Sequence, residues 1–551
     1  MAPLLLDLPV ELLYQISSQL PNSAIKTLRL TCLFAHMVFR LRFNRVFLSP
    51  HQRDIDVFCQ VASSETFRHQ IVQLVWDQNR FCLGNIGDRD SFNPLYQFTP
   101  FNSSHELATE MVRFQRNRIA NTGCLISNDF SAPSGNTMFE SRIAKINKYV
   151  QMRREANELS NSDAFALEYY ITRFPSLRQI IISHSTNGWL FQPFYETPLI
   201  RSFPSRFIYD VERSDFPSQP LTRISDRTDW SEYSKTTRGY RTIFKALAAA
   251  KELQLEDIVI EAPSGVNCGL PFDFFTLGMT SDYLNFVELL RRQHLRRFDL
   301  TITIWTLIRD YENQSHPPVR LLKDALREAA SLTHFSFKVD CADPRPDVDW
   351  VPLKALLPVD RWPNLRHFEL SYFTVKQNDL ADLLGELPRS IRSIELGFLV
   401  FFEESESLAG LLDEILRRAF WDERDEMNRP HLGISLRVSR RASRSIAIRV
   451  DAEIESFLYK QGMNPFRGAR GPNHVELGIG TERDTFNPEC EWPCDQNFGW
   501  KKQINMAQRW VKTMSKREQY QFDRIGKLVE KIEDDADDLA YDLADELPWA
   551  F

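Results

Sequence analysis

One hexapeptide pattern recurs along the chain and limits what it can become. Apolar residues at offsets 0, 3 and 5 occur in IVQLVW (Ile71, Leu74, Trp76), LRQIII (Leu177, Ile180, Ile182), LEDIVI (Leu255, Ile258, Ile260) and LRRFDL (Leu295, Phe298, Leu300). They recur in LTHFSF (Leu332, Phe335, Phe337), LRHFEL (Leu365, Phe368, Leu370) and IRSIEL (Ile391, Ile394, Leu396). Offsets 3 and 5 share one face of a strand. Between the later copies Leu380, Leu383, Leu384 and Leu387 take helical spacing, as do Leu408, Leu411, Leu412, Ile415 and Leu416. Alternating strands and helices make parallel strands joined by crossover helices. Stacked units of this kind curve into a solenoid with the strands on the concave side. A closed β/α barrel is the other architecture this order allows.

The pattern resembles the strand signature of leucine-rich repeats. The Asn or Cys expected three positions after the last Leu is missing, with Thr303, Phe373 and Leu399 in its place. Without that side chain to bond loop backbone, looser turns and a less regular array are predicted. Two polar excursions, at about 77–160 and 190–235, interrupt the repeats; the first is expected to hold one helix near SRIAKINKYVQMRREANEL. Strands are predicted to resume in HLGISLRV and SIAIRVD, before a Gly-Pro-rich loop, QGMNPFRGARGPN. Beyond 503 the chain reads as helical, with Ile525, Leu528, Ile532, Leu539 and Leu543 forming one stripe. From Glu530 to Glu546 nine acidic residues face only Lys531. Such a helix either packs along a basic end of the array or serves as an interaction tail.

The N-terminal stretch LDLPVELLYQISSQLPNSAIKTLRLTC has too many apolar residues for a solvated arm and too few for a core of its own. Leu8, Leu12, Leu13, Ile16 and Leu20 form a helical stripe, with Asp7 as a cap and Pro9 in the first turn. Pro21 stops the helix, Asn22 or Ser23 can cap a second carrying Ile25 and Leu28, and Phe34, Met37, Val38 and Leu41 pattern a third. A unit of about 40 residues is marginal alone, so it must dock on something. Its ordered residues, Leu8, Pro9, Glu11, Leu12, Leu13, Ile16, Leu20, Leu28, Arg29 and Cys32, closely resemble the F-box. Ala24-Ile25 replaces the usual acidic-Leu pair, and Leu33 and Phe34 follow the Cys. The resemblance implies an apolar face, Leu8, Pro9, Leu12, Leu13, Ile16, Leu20, Ile25, Leu28 and Cys32, that binds the Skp-type adaptor of a cullin-RING ubiquitin ligase. The rest of the chain would then select the protein to be ubiquitinated. FRHQIVQLVWD, WPNLRHFEL and LPRSIRSIELGF also make the chain resemble long F-box proteins of filamentous fungi.

Composition narrows the function further. A formal net charge of −7 disfavours nucleic-acid backbone binding. The opening MAPLLLDLPV lacks a basic n-region, and no stretch is long and apolar enough to span a membrane, so the chain reads as soluble and intracellular, cytoplasmic or nuclear. Eight scattered cysteines suggest reduced thiols, and CEWPC at 490–494 lacks two further compact ligands for zinc. Metalloprotease, hydrolase-elbow and P-loop motifs do not occur, and GIG at 478–480 lacks the third glycine of a dinucleotide site. A noncatalytic protein without cofactor or metal is expected.

These readings combine into an α/β protein. An N-terminal three-helix F-box (3–48) precedes an irregular leucine-rich-repeat-like β/α solenoid (49–455) and a C-terminal loop with an acidic helical segment (456–551). The alternatives are a protein-binding scaffold outside a ligase and a barrel enzyme. Offsets 2 and 4 of each hexapeptide should face the concave side. This makes Gln179, Asp257, Arg297, Asp299, His334, Ser336, His367, Glu369, Ser393 and Glu395 candidate substrate contacts, with Ile181 and Val259 at the apolar end. In register, His334 should adjoin His367, flanked by Arg297 and Glu395.

Overall fold

Every one of the seven hexapeptides forms a strand that starts at its third residue. The computed structural model describes residues 8–78, 152–183, 197–199, 230–261, 269–275, 280–303, 317–339, 352–437, 446–467 and 474–477, except 21, 154 and 404. The strands are β1 (Arg45–Leu48), β2 (Gln73–Asp77), β3 (Gln179–Ser183), β4 (Asp257–Glu261), β5 (Leu270–Pro271), β6 (Arg297–Thr303) and β7 (His334–Val339). After them come β8 (His367–Ser371), β9 (Thr374–Val375), β10 (Ser393–Gly397), β11 (Val400–Phe401), β12 (His431–Arg437), β13 (Ile446–Arg449) and β14 (His474–Leu477). The main sheet has the order β1-β2-β3-β4-β6-β7-β8-β10-β12-β13-β14, with β5 beside β6. Pairing is parallel from β1 to β12 and antiparallel from β12 to β14.

Strand order follows chain order without reversal, and β1 and β14 lie at opposite ends of the sheet. Among the described residues the sheet is therefore open, which overturns the closed-barrel alternative. Helices fill the connections: α4 (Gln52–Ser63), α5 (Glu65–Arg68), α6 (Ser162–Tyr170), α7 (Trp230–Ala249), α8 (Ser281–Leu290), α9 (Pro317–Arg327), α10 (Leu353–Leu356), α11 (Gln377–Glu386) and α12 (Leu408–Arg418). A further helix, α13 (Asp451–Tyr459), follows β13, and α1 (Val10–Ser18), α2 (Asn22–Arg29) and α3 (Leu33–Val38) precede β1. The acidic segment lies outside the described residues, as do most of the helix expected near 141–159 and residues 468–473 of the Gly-Pro loop.

Offsets 3 and 5 of all seven hexapeptides enter one core with the inner faces of the crossover helices. Among the described residues the crossover helices thus cover a single side of the sheet. Where the connections are long, aromatic rings fill the space. Phe244, Phe274, Phe275 and Phe286 meet edge-on or tilted, and Phe335 lies 4.5 Å from Trp362. The Trp362 Nε1–H donates to the Leu326 carbonyl (3.1 Å), which removes the cost of burying it. Arg292 reaches under α7 and donates to the carbonyls of Leu253, Ala250 and Leu247, placing positive charge at that helix's C-terminus.

The turns after β8 and β10 are tighter than predicted. Tyr372 and Phe398 take left-handed conformations (φ 62° and 53°), their rings stack at 4.9 Å, and β9 pairs with β11 just beyond. Tyr372 N–H donates to the Gly397 carbonyl and Phe398 N–H to that of Ser435. Backbone of the neighbouring repeat therefore does the work expected of an Asn side chain.

The first three helices depart from expectation more sharply. Leu13, Ile25, Ala35, Val38 and Phe39 form a small core of their own, with Leu8, Leu20, Leu28 and Leu41 packed around it and separate from the main core. Polar clasps complete the closure. Asn22 exchanges two hydrogen bonds with the Arg42 backbone (2.6 and 3.0 Å), rather than simply capping α2. The Arg42 guanidinium donates to the Ser18 and Leu20 carbonyls, and Arg29 donates to that of Phe39 (3.2 Å). These bonds substitute for area that so few residues cannot bury.

Candidate functional site

Two surfaces follow from this architecture, one on the helical unit and one on the side of the sheet opposite the crossover helices. On the helical unit, the expected apolar set divides. Leu13 and Ile25 are fully buried in the small core, while Leu8, Leu20 and Leu28 flank it half-buried. Leu12 is 45% exposed and Ile16 36%, one helical turn apart on α1. Pro9 is exposed, and exposed Cys32 caps α3 by accepting from Ala35 N–H (3.4 Å). Exposed Phe34 and Met37 on α3, with Leu30 and Leu33 in the preceding turn, extend the apolar surface. The spacing places Phe34 and Met37 in the apolar pattern of the third helix without saying which way they face. Helical spacing shows that residues share a face, but not which of two apolar faces turns inward.

On the sheet, offset 2 residues align as Gln179, Asp257, Arg297, His334, His367 and Ser393. The two imidazoles stack, with centroids 4.2 Å apart and planes 15° from parallel. Burial, then the charges of Arg366 and Arg297, hold the His367 pKa below its ordinary value, which disfavours the imidazolium form. Arg297 lies beside His334 as expected. Glu395 does not lie beside His367: Ser393 does, and Glu395 sits one row up opposite Glu369. The cause is the period of two, which puts Ser393 and Glu395 in different rows.

The offset 4 row is less available than a concave binding face requires. Asp299, Ser336, Glu369 and Glu395 are buried, as is Arg297. They engage one another instead. Arg297 Nε donates to both Asp299 carboxylate oxygens (3.1 Å each). Glu369 accepts from Ser336 Oγ (2.8 Å) and Ser371 Oγ (3.2 Å), and Lys338 Nζ lies 3.2 Å away. Burial raises the Glu369 carboxyl above its usual range against the pull of Lys338 and Ser336. At the other end of the row Val75, Ile181 and Val259 form a buried apolar cluster. The accessible part of the predicted strip is its first row, where Gln179, Asp257, His334, His367 and Ser393 are half-buried.

That first row carries a relay that residue types alone did not reveal. Arg45 Nε donates to Gln73, Gln73 Nε2 donates to Gln179, and Gln179 Nε2 donates to Asp257 (3.3 Å). Among the described residues no group of three or more His, Cys, Asp or Glu could hold a metal ion, and CEWPC lies outside them. No helix among them is long and apolar enough to cross a membrane. The chain matches no family model, and no curated protein matches it.

Proposed function

We propose that this protein is the substrate-recognition subunit of an SCF-type cullin-RING ubiquitin ligase, working in the cytoplasm or nucleus. Its F-box-like helices hold the Skp-type adaptor and so recruit cullin and RING subunits, while its leucine-rich-repeat-like solenoid selects a protein target. The observation that carries this reading is a helical unit closed around its own core yet still exposing Leu12, Ile16, Phe34 and Met37. An amphipathic segment that merely packed on the sheet would turn those residues inward. The substrate would meet the first row of the sheet, through residues such as His334 and His367.

Co-purification of the full chain with a Skp-type adaptor tests the assignment. The triple change Leu12→Ala, Ile16→Ala and Phe34→Ala removes side chains that are already partly buried, so each costs about 1 kcal/mol of docking. Capture should fall about a hundredfold while the fold stays intact. Leu13→Ala should instead destabilise the small core by about 3 kcal/mol. Wild-type capture by the triple variant, or no capture by the wild type, would favour a scaffold outside the ligase.

A further inference from the structure

The rim of the sheet where the strands begin collects guanidinium groups without carboxylate partners. Arg296, Arg366 and Arg392 each stand one residue before a strand. Backbone N–H donation from Thr333 to Arg296, from Arg366 to Thr333 and from Arg392 to Arg366, at 2.7 to 2.8 Å, links them in strand order. Neighbouring strands lie about 4.8 Å apart, so this row spans about 15 Å. Arg389, in the turn before β10, and Arg424, in the loop before β12, enlarge it.

Arg296, Arg366 and Arg389 are exposed, and Arg392 and Arg424 are half-buried. Among the described residues these five form no ion pair, although Asp422, Glu423, Asp425 and Glu426 share the loop of Arg424. Arg392 donates only to neutral groups, the Arg389 and Ile391 carbonyls (3.1 and 2.9 Å) and Asn428 Oδ1 (2.8 Å). Arg424 Nη1 is buried without an acceptor. Burial chiefly, with the charges of Arg392 and Arg389, disfavours the Arg424 cation. An orphaned guanidinium N–H beside two like charges is costly until an anion meets them.

The chain carries a matching counter-charge. Nine acids against Lys531 give residues 530–546 a net charge of −8, so the whole-chain value of −7 leaves all other residues together at +1. The excess negative charge thus resides in this one segment. Strand β14 ends at Leu477, about 50 residues before Glu530. From β14 back to β6 is six strand spacings, about 29 Å. Fifty residues can span up to about 165 Å, so reach does not limit a return to the rim. A tether also gives an effective concentration on the order of millimolar, so a contact with a Kd on the order of 100 µM already fills the rim about nine times in ten.

We propose that residues 530–546 dock on this rim within the same chain, their carboxylates meeting Arg389, Arg392 and Arg424 and continuing past Arg366 toward Arg296. Carboxylates suit such a row because each can accept two N–H bonds from one guanidinium fork. Arg366 and Arg392 directly precede His367 and Ser393, so an arm lying there crowds the first row of the sheet. The segment is then a masking arm that a partner must displace to reach that row. Docking stands on the charges alone; that the masked row receives a substrate rests on the function proposed above.

The test uses a fluorescent peptide of sequence 530–546, the full chain, and a full-chain variant carrying Glu533→Gln, Asp534→Asn, Asp535→Asn, Asp537→Asn and Asp538→Asn. With its own arm weakened, the variant should bind the peptide about tenfold tighter than the wild type, whose rim is already filled. Added salt should weaken that binding, and a peptide with the same five changes should not bind. In the variant background Arg389→Gln, which removes an exposed side chain with no ion pair, should lower peptide affinity about tenfold and leave thermal melting unchanged, as one charged hydrogen bond predicts. Arg424→Gln should lower affinity likewise. Adaptor capture plays no part in this readout. No binding to the variant, equal binding to variant and wild type, or unchanged affinity after both arginine changes would overturn the proposal. Wild-type dimers in sedimentation that separate in the variant would also overturn it, by placing the arm on a second copy.

Discussion

Asp54 is the residue whose surroundings say most about pH. It is fully buried, accepts from Ser49 Oγ (2.6 Å) and from Leu199 N–H (2.9 Å), and its pKa is raised to about 7, chiefly by burial. A carboxyl whose folded pKa exceeds its unfolded value holds its proton longer in the folded state. Its stabilising contribution is complete below about pH 4 and is lost as pH rises through about 7. Asp54→Asn keeps an acceptor for Leu199 and can donate to Ser49. Denaturant titrations at pH 4, 5.5 and 7 should therefore show the variant gaining on the wild type as pH rises across that window. Backbone conformation gives a second prediction at this scale. Phe420, 58% exposed just past α12, has φ of 49°, whereas Tyr372 adopts φ of 62° but is buried against Phe398. Phe420→Gly should raise stability by about 1 kcal/mol in thermal melts. Tyr372→Gly should lower it by about 3 kcal/mol, because lost packing outweighs relieved strain. Neither Asp54 nor Tyr372 stood out in the sequence, since burial of an acid and a positive φ at an aromatic residue are set by neighbours distant in the chain.

Among the elements, the strands were the most legible part, because a period of two with apolar offsets survives any change in the length between repeats. The strand β1 was missed. Its four residues carry only Val46 and Leu48 as an alternating pair, and its role comes from pairing with β2. Cross-repeat ties were also hidden: Asp379 of α11 accepts from Leu353 N–H at the start of α10 (2.7 Å), and Glu406 accepts from Gln377 N–H at the start of α11 (2.8 Å). Each meets a helix N-terminus of the preceding unit, where an anion is favoured. The sheet-face network offers a sharper test. Removing Glu369 leaves Lys338 and two serine hydroxyls without that acceptor inside a polar interior, so Glu369→Ala should cost about 3 kcal/mol. Glu369→Gln, which keeps hydrogen-bonding capacity, should cost less. Equal losses in chemical denaturation would mean that packing, not the polar network, dominates there.

Among the described residues the small core of the N-terminal helices is separate from the large core under the sheet, and this division reverses an expectation drawn from the N-terminal segment. Counting apolar residues suggested a dependent segment; the Asn22, Arg29 and Arg42 clasps that let it close were invisible because they join residues up to 24 positions apart. Deleting residues 1–42 should consequently leave the melting temperature of the sheet unit within about 3 °C of its original value, as befits separate contact networks. The face of α1 and α3 was legible as apolar, but which residues it presents needed the packing of Leu13 and Ile25 to decide. The unreversed strand order has a mechanical consequence. A load applied between β1 and β14 acts across the strands, so it opens one row of backbone bonds at a time instead of shearing the whole sheet. Under tension the array should yield as a zipper does, in many small steps at modest force, giving up its end strands while the interior remains wound.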